Sequence, residues 1–154
     1  MRRLAALAFL LPVAALAQPA AEPANPLGLT QAIGYAWDDV SALVAPPEEG
    51  AVEDGTGDLV WHDVGNGVER LDVQVRSGAI DEVTTTAVAA GRPQLAALSS
   101  QFRELMGEPE DGGFYTAAQL QAVNPEAPYL DVSIDPETGQ TTLRKPSAPP
   151  PAQN

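Results

Sequence analysis

Residues 68–76 form a clear strand pattern, and a tight turn is predicted on each side of them. Apolar and polar side chains alternate along this segment, which is typical of a strand with one buried and one solvent-exposed face. The apolar positions are Leu71, Val73 and Val75. Gly65-Asn66-Gly67 before the strand and Ser77-Gly78 after it favour short turns. Strands joined so closely lie antiparallel, which argues against a parallel α/β fold.

Strands at 58–64 and 79–88 complete a predicted three-strand meander around this segment. A C-terminal hairpin follows, with alternation over residues 130–135 and a return strand over 141–145. Between them, Asp135-Pro136-Glu137-Thr138-Gly139 has the residues of a turn, since proline presets one dihedral angle and glycine supplies a positive one.

Two amphipathic helices are expected, the first over residues 30–44, where Thr30 caps the start. Its apolar side chains recur at helical spacing at Ile33, Trp37, Val40 and Val44. The second begins at Gly91-Arg92-Pro93 and ends at Gly107. Its apolar stripe consists of Leu95, Leu98, Phe102 and Leu105, with Met106 alongside. A short third helix is predicted over 116–123.

Together these elements predict an α+β fold, with a single antiparallel sheet and the two amphipathic helices on one face. The sheet consists of the meander and the C-terminal hairpin. The order of elements also leaves open a distant duplication, in which each half is a helix followed by a hairpin.

Residues 1–17 are predicted to be a cleavable signal peptide. Arg2 and Arg3 precede an apolar run of about 14 residues, and Ala15-Leu16-Ala17 supplies the small residues of a cleavage site. A helix needs about 20 apolar residues to cross a bilayer, so we expect export without a membrane span. Seven arginines to one lysine and abundant alanine are typical of GC-rich bacteria, which favours a periplasmic location.

The mature chain is expected to have proline-rich ends. Residues 18–26 are predicted to be a disordered Pro/Ala linker, 27–145 a single α+β domain and 146–154 a disordered Pro-rich tail, which could also dock on an aromatic groove. Without Arg2 and Arg3, six basic side chains remain against 21 acidic ones, a net charge of −15. Such a charge repels nucleic acids and anionic lipid surfaces, so neither is an expected partner.

Few residue types are present for catalysis. The chain has no cysteine and a single histidine, His62, which makes a zinc site improbable and leaves one possible imidazole base. No Gly-x-Ser-x-Gly nucleophile elbow or phosphate-binding glycine loop occurs. We therefore assign no catalytic residues and expect no cofactor.

Two short segments are the candidate sites. Glu53, Asp54 and Asp58 lie in an acidic, glycine-rich loop and are candidate calcium ligands, although the spacing departs from the helix-loop-helix pattern. Phe114 and Tyr115, in a loop flanked by glycine, are candidate partner contacts, with a lid over the core as the alternative.

Two stretches resemble known exported families. Ala32-Ile33-x-x-Ala36, together with the Asp135–Gly139 turn, resembles the PepSY family, although about a hundred residues separate the two pieces. Leu105-Met106-Gly107-Glu108-Pro109 resembles the helix end of small lipoproteins of the outer-membrane barrel-assembly machinery, although the chain lacks their lipid-bearing cysteine. Either resemblance implies a non-catalytic binding, inhibitory or assembly role.

The sequence therefore favours a non-enzymatic periplasmic module that binds a protein or peptide of the cell envelope. The alternative is a small carboxylate- or calcium-dependent hydrolase, which needs polar groups that converge around His62 or the acids of residues 48–63.

We predict that the exported protein begins at Gln18, because the leader is too short to remain in the bilayer. Intact-mass spectrometry of protein purified from cells that express the full precursor checks this. A product that begins at Met1, or recovery of the protein only with membranes, would contradict the prediction.

Overall fold

The structure is a computed structural model that describes residues 22–147. The strands are β1 (Gly57–Gly65), β2 (Val68–Arg76), β3 (Ala79–Ala87), β4 (Asp131–Asp135) and β5 (Gln140–Arg144). The α-helices are α1 (Trp37–Val40), α2 (Arg92–Met106) and α3 (Ala117–Val123). Two 3-10 helices span Pro26–Gln31 and Ala89–Gly91. Within the described residues, no helix is long and apolar enough to cross a membrane.

All five strands form a single antiparallel sheet in the order β1-β2-β3-β5-β4. The predicted α+β class and the single antiparallel sheet are therefore confirmed. Successive strands pair across tight turns from β1 to β3, and the β4–β5 hairpin joins the sheet through β5. The pairing of β3 with β5 is the long-range contact that unites the two halves of the chain.

The two faces of the sheet differ sharply in polarity. Directly paired residues form an apolar row across all five strands: Leu59, Val73, Val83, Leu143 and Val132. The neighbouring row, on the opposite face because side chains alternate, is mostly polar: Val60, Asp72, Thr84, Thr142 and Ser133. Leu29 of the first 3-10 helix packs against the apolar side in the same buried cluster.

The predicted helix over 30–44 is wrong. The chain makes a 3-10 helix that ends at Gln31 and then only one turn of α-helix, α1. Gly34 has a φ of +88°, and its N–H donates to the Ile80 carbonyl. The Ile80 N–H in turn donates to the Tyr35 carbonyl, so this segment pairs with the start of β3 instead of closing helical hydrogen bonds. Its apolar residues still pack on the core, which explains the misleading periodicity.

Residues 24–26 of the predicted linker make contacts with the domain. Ala24 forms a parallel bridge with Val44, within the segment expected to be a disordered linker. The Asn25 side chain accepts from the Leu27 N–H and donates to the Val64 carbonyl, and Pro26 is buried. The predicted leader, residues 18–21 of the linker and residues 148–154 of the tail lie outside the described residues.

The second predicted helix exists as α2, and its inward side matches the predicted stripe in part. Leu98 and Leu105 are 37% and 64% exposed. Leu95, Phe102 and Met106 are half-buried as predicted, and Ser99 lies on the same side. The Phe102 ring meets the edge of Tyr115 at a centroid distance of 5.4 Å, which fixes the helix against the loop that follows it.

We predict that Gly57→Ala destabilises the fold by about 1–3 kcal/mol, because its new Cβ would overlap the Ala51 carbonyl oxygen and lie 2.9 Å from the Val52 Cα. Gly28→Ala is the matched control, since no atom lies within 4 Å of the added Cβ. Urea unfolding followed by the fluorescence of buried Trp61 measures both. Equal midpoints for the two variants would contradict the prediction.

Candidate functional site

An open apolar groove of about 510 Å³ lies over the β5–β4 part of the sheet. Its floor includes Val132 and Leu143, which pair directly and continue the apolar row. The lining comes from four separate segments of the chain, and we call this site the apolar groove: Thr30, Gln31, Ile33, Leu120, Pro128, Tyr129, Leu130, Val132 and Leu143. No lining residue carries a charge.

Helix α3, which supplies Leu120, is fixed at its first turn. Thr116 and Gln119 form a capping box, in which the Thr116 hydroxyl accepts from the Gln119 N–H and the Gln119 side chain accepts from the Thr116 N–H. The carboxylate of Asp131, buried at the start of β4, accepts from the Ala117 N–H at 2.9 Å. This end of the groove is therefore held by both side-chain and backbone hydrogen bonds.

Arg144 connects β5 to the loop between α2 and α3. Its guanidinium donates to Asp131 at 3.3 Å and to Asp111 at 2.6 Å. The same group lies 3.6 Å from the centroid of the Phe114 ring, a cation–π contact. Burial raises the pKa of Glu82, the cross-strand neighbour of Arg144, and the charge of Arg144 opposes that shift. Arg144 therefore stabilises the packing of the loop against the sheet. Its side chain lies on the polar face, away from the groove.

The predicted partner contact at Phe114 and Tyr115 is not an exposed aromatic surface. Tyr115 is 4% exposed, packs against Phe102 and forms an antiparallel bridge with Val132. Phe114 is half-buried beneath Arg144. The alternative interpretation, a lid over the core, describes the pair better, and Tyr115 supports the groove through Val132.

The three candidate calcium ligands are not gathered into one site. Glu53 closes a tight turn by bridging to Thr56, and Asp54 occupies that turn with a φ of +49°. Asp58 points to the polar face and pairs with Arg76 at 2.7 Å. Across residues 22–147, no group of three histidine, cysteine or acidic side chains is arranged to hold a metal ion.

His62 lies on β1, paired with Arg70 on the face opposite to Trp61, as its position in the sequence predicts. Its Nε2 is 2.8 Å from the Glu49 carboxylate, and the two side chains are 37% and 63% exposed. The hydrogen bond to Glu49 is the main cause that raises the His62 pKa above 6.5, and the charge of Glu48 adds to it. The His62–Glu49 pair holds residues 48 and 49 against β1. Both side chains remain accessible to water.

Sequence reasoning missed the apolar groove. Its residues recur at no single period, because they come from a 3-10 helix, a short α-helix, a loop and two strands. The signal that was available is the alternation of β4 and β5, which places Val132 and Leu143 on the inward face.

Comparisons with protein-family models, with curated proteins and with solved structures each gave no match. The structure adds one observation on the resemblance to PepSY modules: residues 32–36, which carry its helical part, are not helical here.

We predict that Glu49→Gln lowers the pKa of His62 towards 6.5, because the charged hydrogen-bond acceptor is lost. Titration of the imidazole resonances by NMR measures the shift, with Glu53→Gln as the control. In the unaltered protein, the pair stabilises the fold fully below about pH 6.5, and this contribution is lost as the pH rises past the raised pKa. An identical His62 titration in both variants would contradict the assignment.

Proposed function

We propose that this protein is an exported, non-enzymatic binding module of the periplasm, and that the apolar groove is its binding surface. Its occupant is a short segment of an envelope protein or peptide, with an aliphatic anchor flanked by lysine or arginine. The observation that carries the proposal is an open, uncharged groove of about 510 Å³ on the antiparallel sheet, a size typical of ligand sites.

The chemistry of the lining favours binding over catalysis. Six of the nine lining residues are aliphatic or proline, and the polar ones are Thr30, Gln31 and Tyr129. The Thr30 hydroxyl already donates to the Leu27 carbonyl at 2.8 Å. The groove therefore presents apolar contacts and a few hydrogen-bonding groups, with no carboxylate or imidazole in its lining to act as a general base.

The charge of the domain indicates which apolar segments bind. All 21 acidic side chains of the protein lie in residues 22–147, with six basic ones. The ion pairs within that part, such as Arg70–Asp72 and Arg103–Glu108, neutralise only a minority of the carboxylates. A cationic partner is attracted to this surface and an anionic one is repelled, and salt weakens both effects.

Three short fluorescein-labelled peptides test the proposal by fluorescence anisotropy: a basic peptide with a central leucine pair, an acidic peptide with the same leucines, and the basic peptide with serine in their place. Only the first should bind to saturation, since it alone combines positive charge with an apolar anchor. Equal binding of the acidic peptide would refute the assigned partner chemistry.

Two variants of α3 then locate the site. Leu120→Ser removes an apolar contact from the groove and should weaken binding of the basic leucine peptide about tenfold. Val123→Ser is the matched control, because Val123 lies in the same helix, is 48% exposed and does not line the groove. Equal affinities for the two variants would place binding elsewhere.

A further inference from the structure

We propose that the edge of β4 holds the C-terminal end of an extended peptide, whose backbone pairs with Ile134 and whose terminal carboxylate lies beside Arg103. The peptide ends in an aliphatic residue, with lysine or arginine before it. The site shares no lining residue with the apolar groove, so this inference goes beyond the proposed function and does not depend on it.

A cavity of about 530 Å³, which we call the edge slot, lies between β4, α2 and the loop that follows α2. Its lining includes three consecutive residues of the strand, Ser133, Ile134 and Asp135. Because neighbouring side chains of a strand point to opposite faces, a cavity that touches all three lies at the edge of the strand. Its volume falls in the range of about 300–1,000 Å³ that ligand sites occupy.

The backbone of Ile134 offers a hydrogen-bond donor and an acceptor at this edge. The N–H and C=O of Val132 bond outwards to Tyr115, and in an antiparallel ladder such outward groups recur at every second residue. The same groups of Ile134 therefore point outwards, and no described residue outside the sheet bonds to them. The Tyr115 segment does not reach them, because the chain turns between Asp111 and Phe114. A ligand residue can thus continue the pairing that Tyr115 begins.

Tyr115 also determines which part of a peptide fits. A ligand that pairs antiparallel with Ile134 runs towards Tyr115 in its C-terminal direction, as the chain before Tyr115 does. The edge at Val132 is already occupied by Tyr115, so the ligand cannot continue past it. An antiparallel ligand therefore ends at the edge slot, and the residue opposite Ile134 is its last.

A positive charge lies at the Tyr115 end of the slot, where the ligand carboxylate arrives. Arg103 lines the slot and follows Phe102, whose ring contacts Tyr115 at a centroid distance of 5.4 Å. The Nε atom of Arg103 pairs with Glu108 at 2.8 Å, and the side chain is exposed. The two terminal nitrogens of the guanidinium can therefore donate to a ligand carboxylate.

The turn after α2 adds backbone donors to the same slot. Gly112 and Gly113 are the central residues of this turn, with φ values of +60° and +92°, and both line the edge slot. Neither N–H donates to another described residue. Backbone N–H groups together with a guanidinium suit the terminal carboxylate of a peptide.

The strand itself indicates the last two side chains of the ligand. Ile134 and Pro109 line the slot and favour an aliphatic side chain on the last residue. The residue before it lies opposite Asp135 and points to the same face, because directly paired residues share a face. The Asp135 carboxylate is held in place by the Glu137 N–H at 3.0 Å. Opposite charges across a strand pair attract, which favours lysine or arginine at this ligand position.

Fluorescence anisotropy with the N-terminally labelled peptide Ser-Gly-Ser-Gly-Lys-Val tests the proposal. The form with a free carboxylate should bind about tenfold more tightly than the form with a C-terminal amide, because the amide cannot make charge-assisted hydrogen bonds. A peptide with glutamate in place of lysine should bind more weakly than the original. Equal affinities of the carboxylate and amide forms, or no binding of either, would overturn the proposal.

A variant of α2 tests the position of the carboxylate. Arg103→Gln should abolish the preference for the free carboxylate, because the guanidinium is lost. Arg70→Gln is the matched control, since it removes the same charge from an arginine of β2 that does not line the slot. Retention of the tenfold preference in Arg103→Gln would show that the carboxylate lies elsewhere and would refute the assigned site.

The pairing with the strand is tested from the side of the ligand, which avoids any risk to folding. A peptide with N-methylvaline at its end lacks the N–H that donates to the Ile134 carbonyl, and it should bind about tenfold more weakly. In a two-dimensional amide NMR titration with the original peptide, the signals of Ile134, Gly112 and Gly113 should move. Unchanged affinity of the methylated peptide, or shifts confined to the apolar groove, would overturn the proposal.

The two sites are measured separately when the three peptides of the groove experiment carry C-terminal amides. Those peptides then lack the carboxylate that the edge slot recognises. Failure of the amidated leucine peptide to bind would refute the proposed function and leave the edge slot intact. Failure of the carboxylate peptide would refute the edge slot alone.

Discussion

The pairing of β3 with β5 is the interaction on which the rest of the structure depends. It joins residues far apart in the sequence, and Thr84 and Thr142 share a hydrogen bond of 2.9 Å across a separation of 58 residues. Closure of so long a loop costs entropy, which the apolar row through Val83 and Leu143 offsets. The same register extends the apolar row to Val132. This end of the row is not covered by the first 3-10 helix, and the apolar groove lies over it.

The sheet could be predicted from the sequence because its signals are local. Alternation along β2 and β4, and turns at Gly65–Gly67 and Asp135–Gly139, each report on a few neighbouring residues. The helix over 30–44 could not be excluded in this way. Its failure depends on hydrogen bonds between the Gly34 region and Ile80, which no local pattern contains. Tertiary pairing here overrides a helical periodicity.

The candidate site was harder to predict than the fold for the same physical reason. Phe114 is covered by Arg144, which is 30 positions away in the chain, so the flanking glycines gave a false indication of exposure. Asp58 lies in β1 and forms an ion pair with Arg76 of the neighbouring strand. Its carboxylate is therefore not grouped with the acidic residues of the preceding loop. Each outcome depends on a cross-strand or loop-to-strand contact that only the register of the sheet determines.

On both edge strands of the sheet, a central residue already forms backbone hydrogen bonds with a neighbouring loop segment. On β1, the backbone of Val60 exchanges hydrogen bonds with Glu49, and on β4 that of Val132 does so with Tyr115. An incoming chain therefore finds these backbone groups already engaged and cannot simply extend the sheet as a sixth strand. At these two positions a peptide ligand has no free strand backbone to pair with, so its own side chains would have to supply the contacts there.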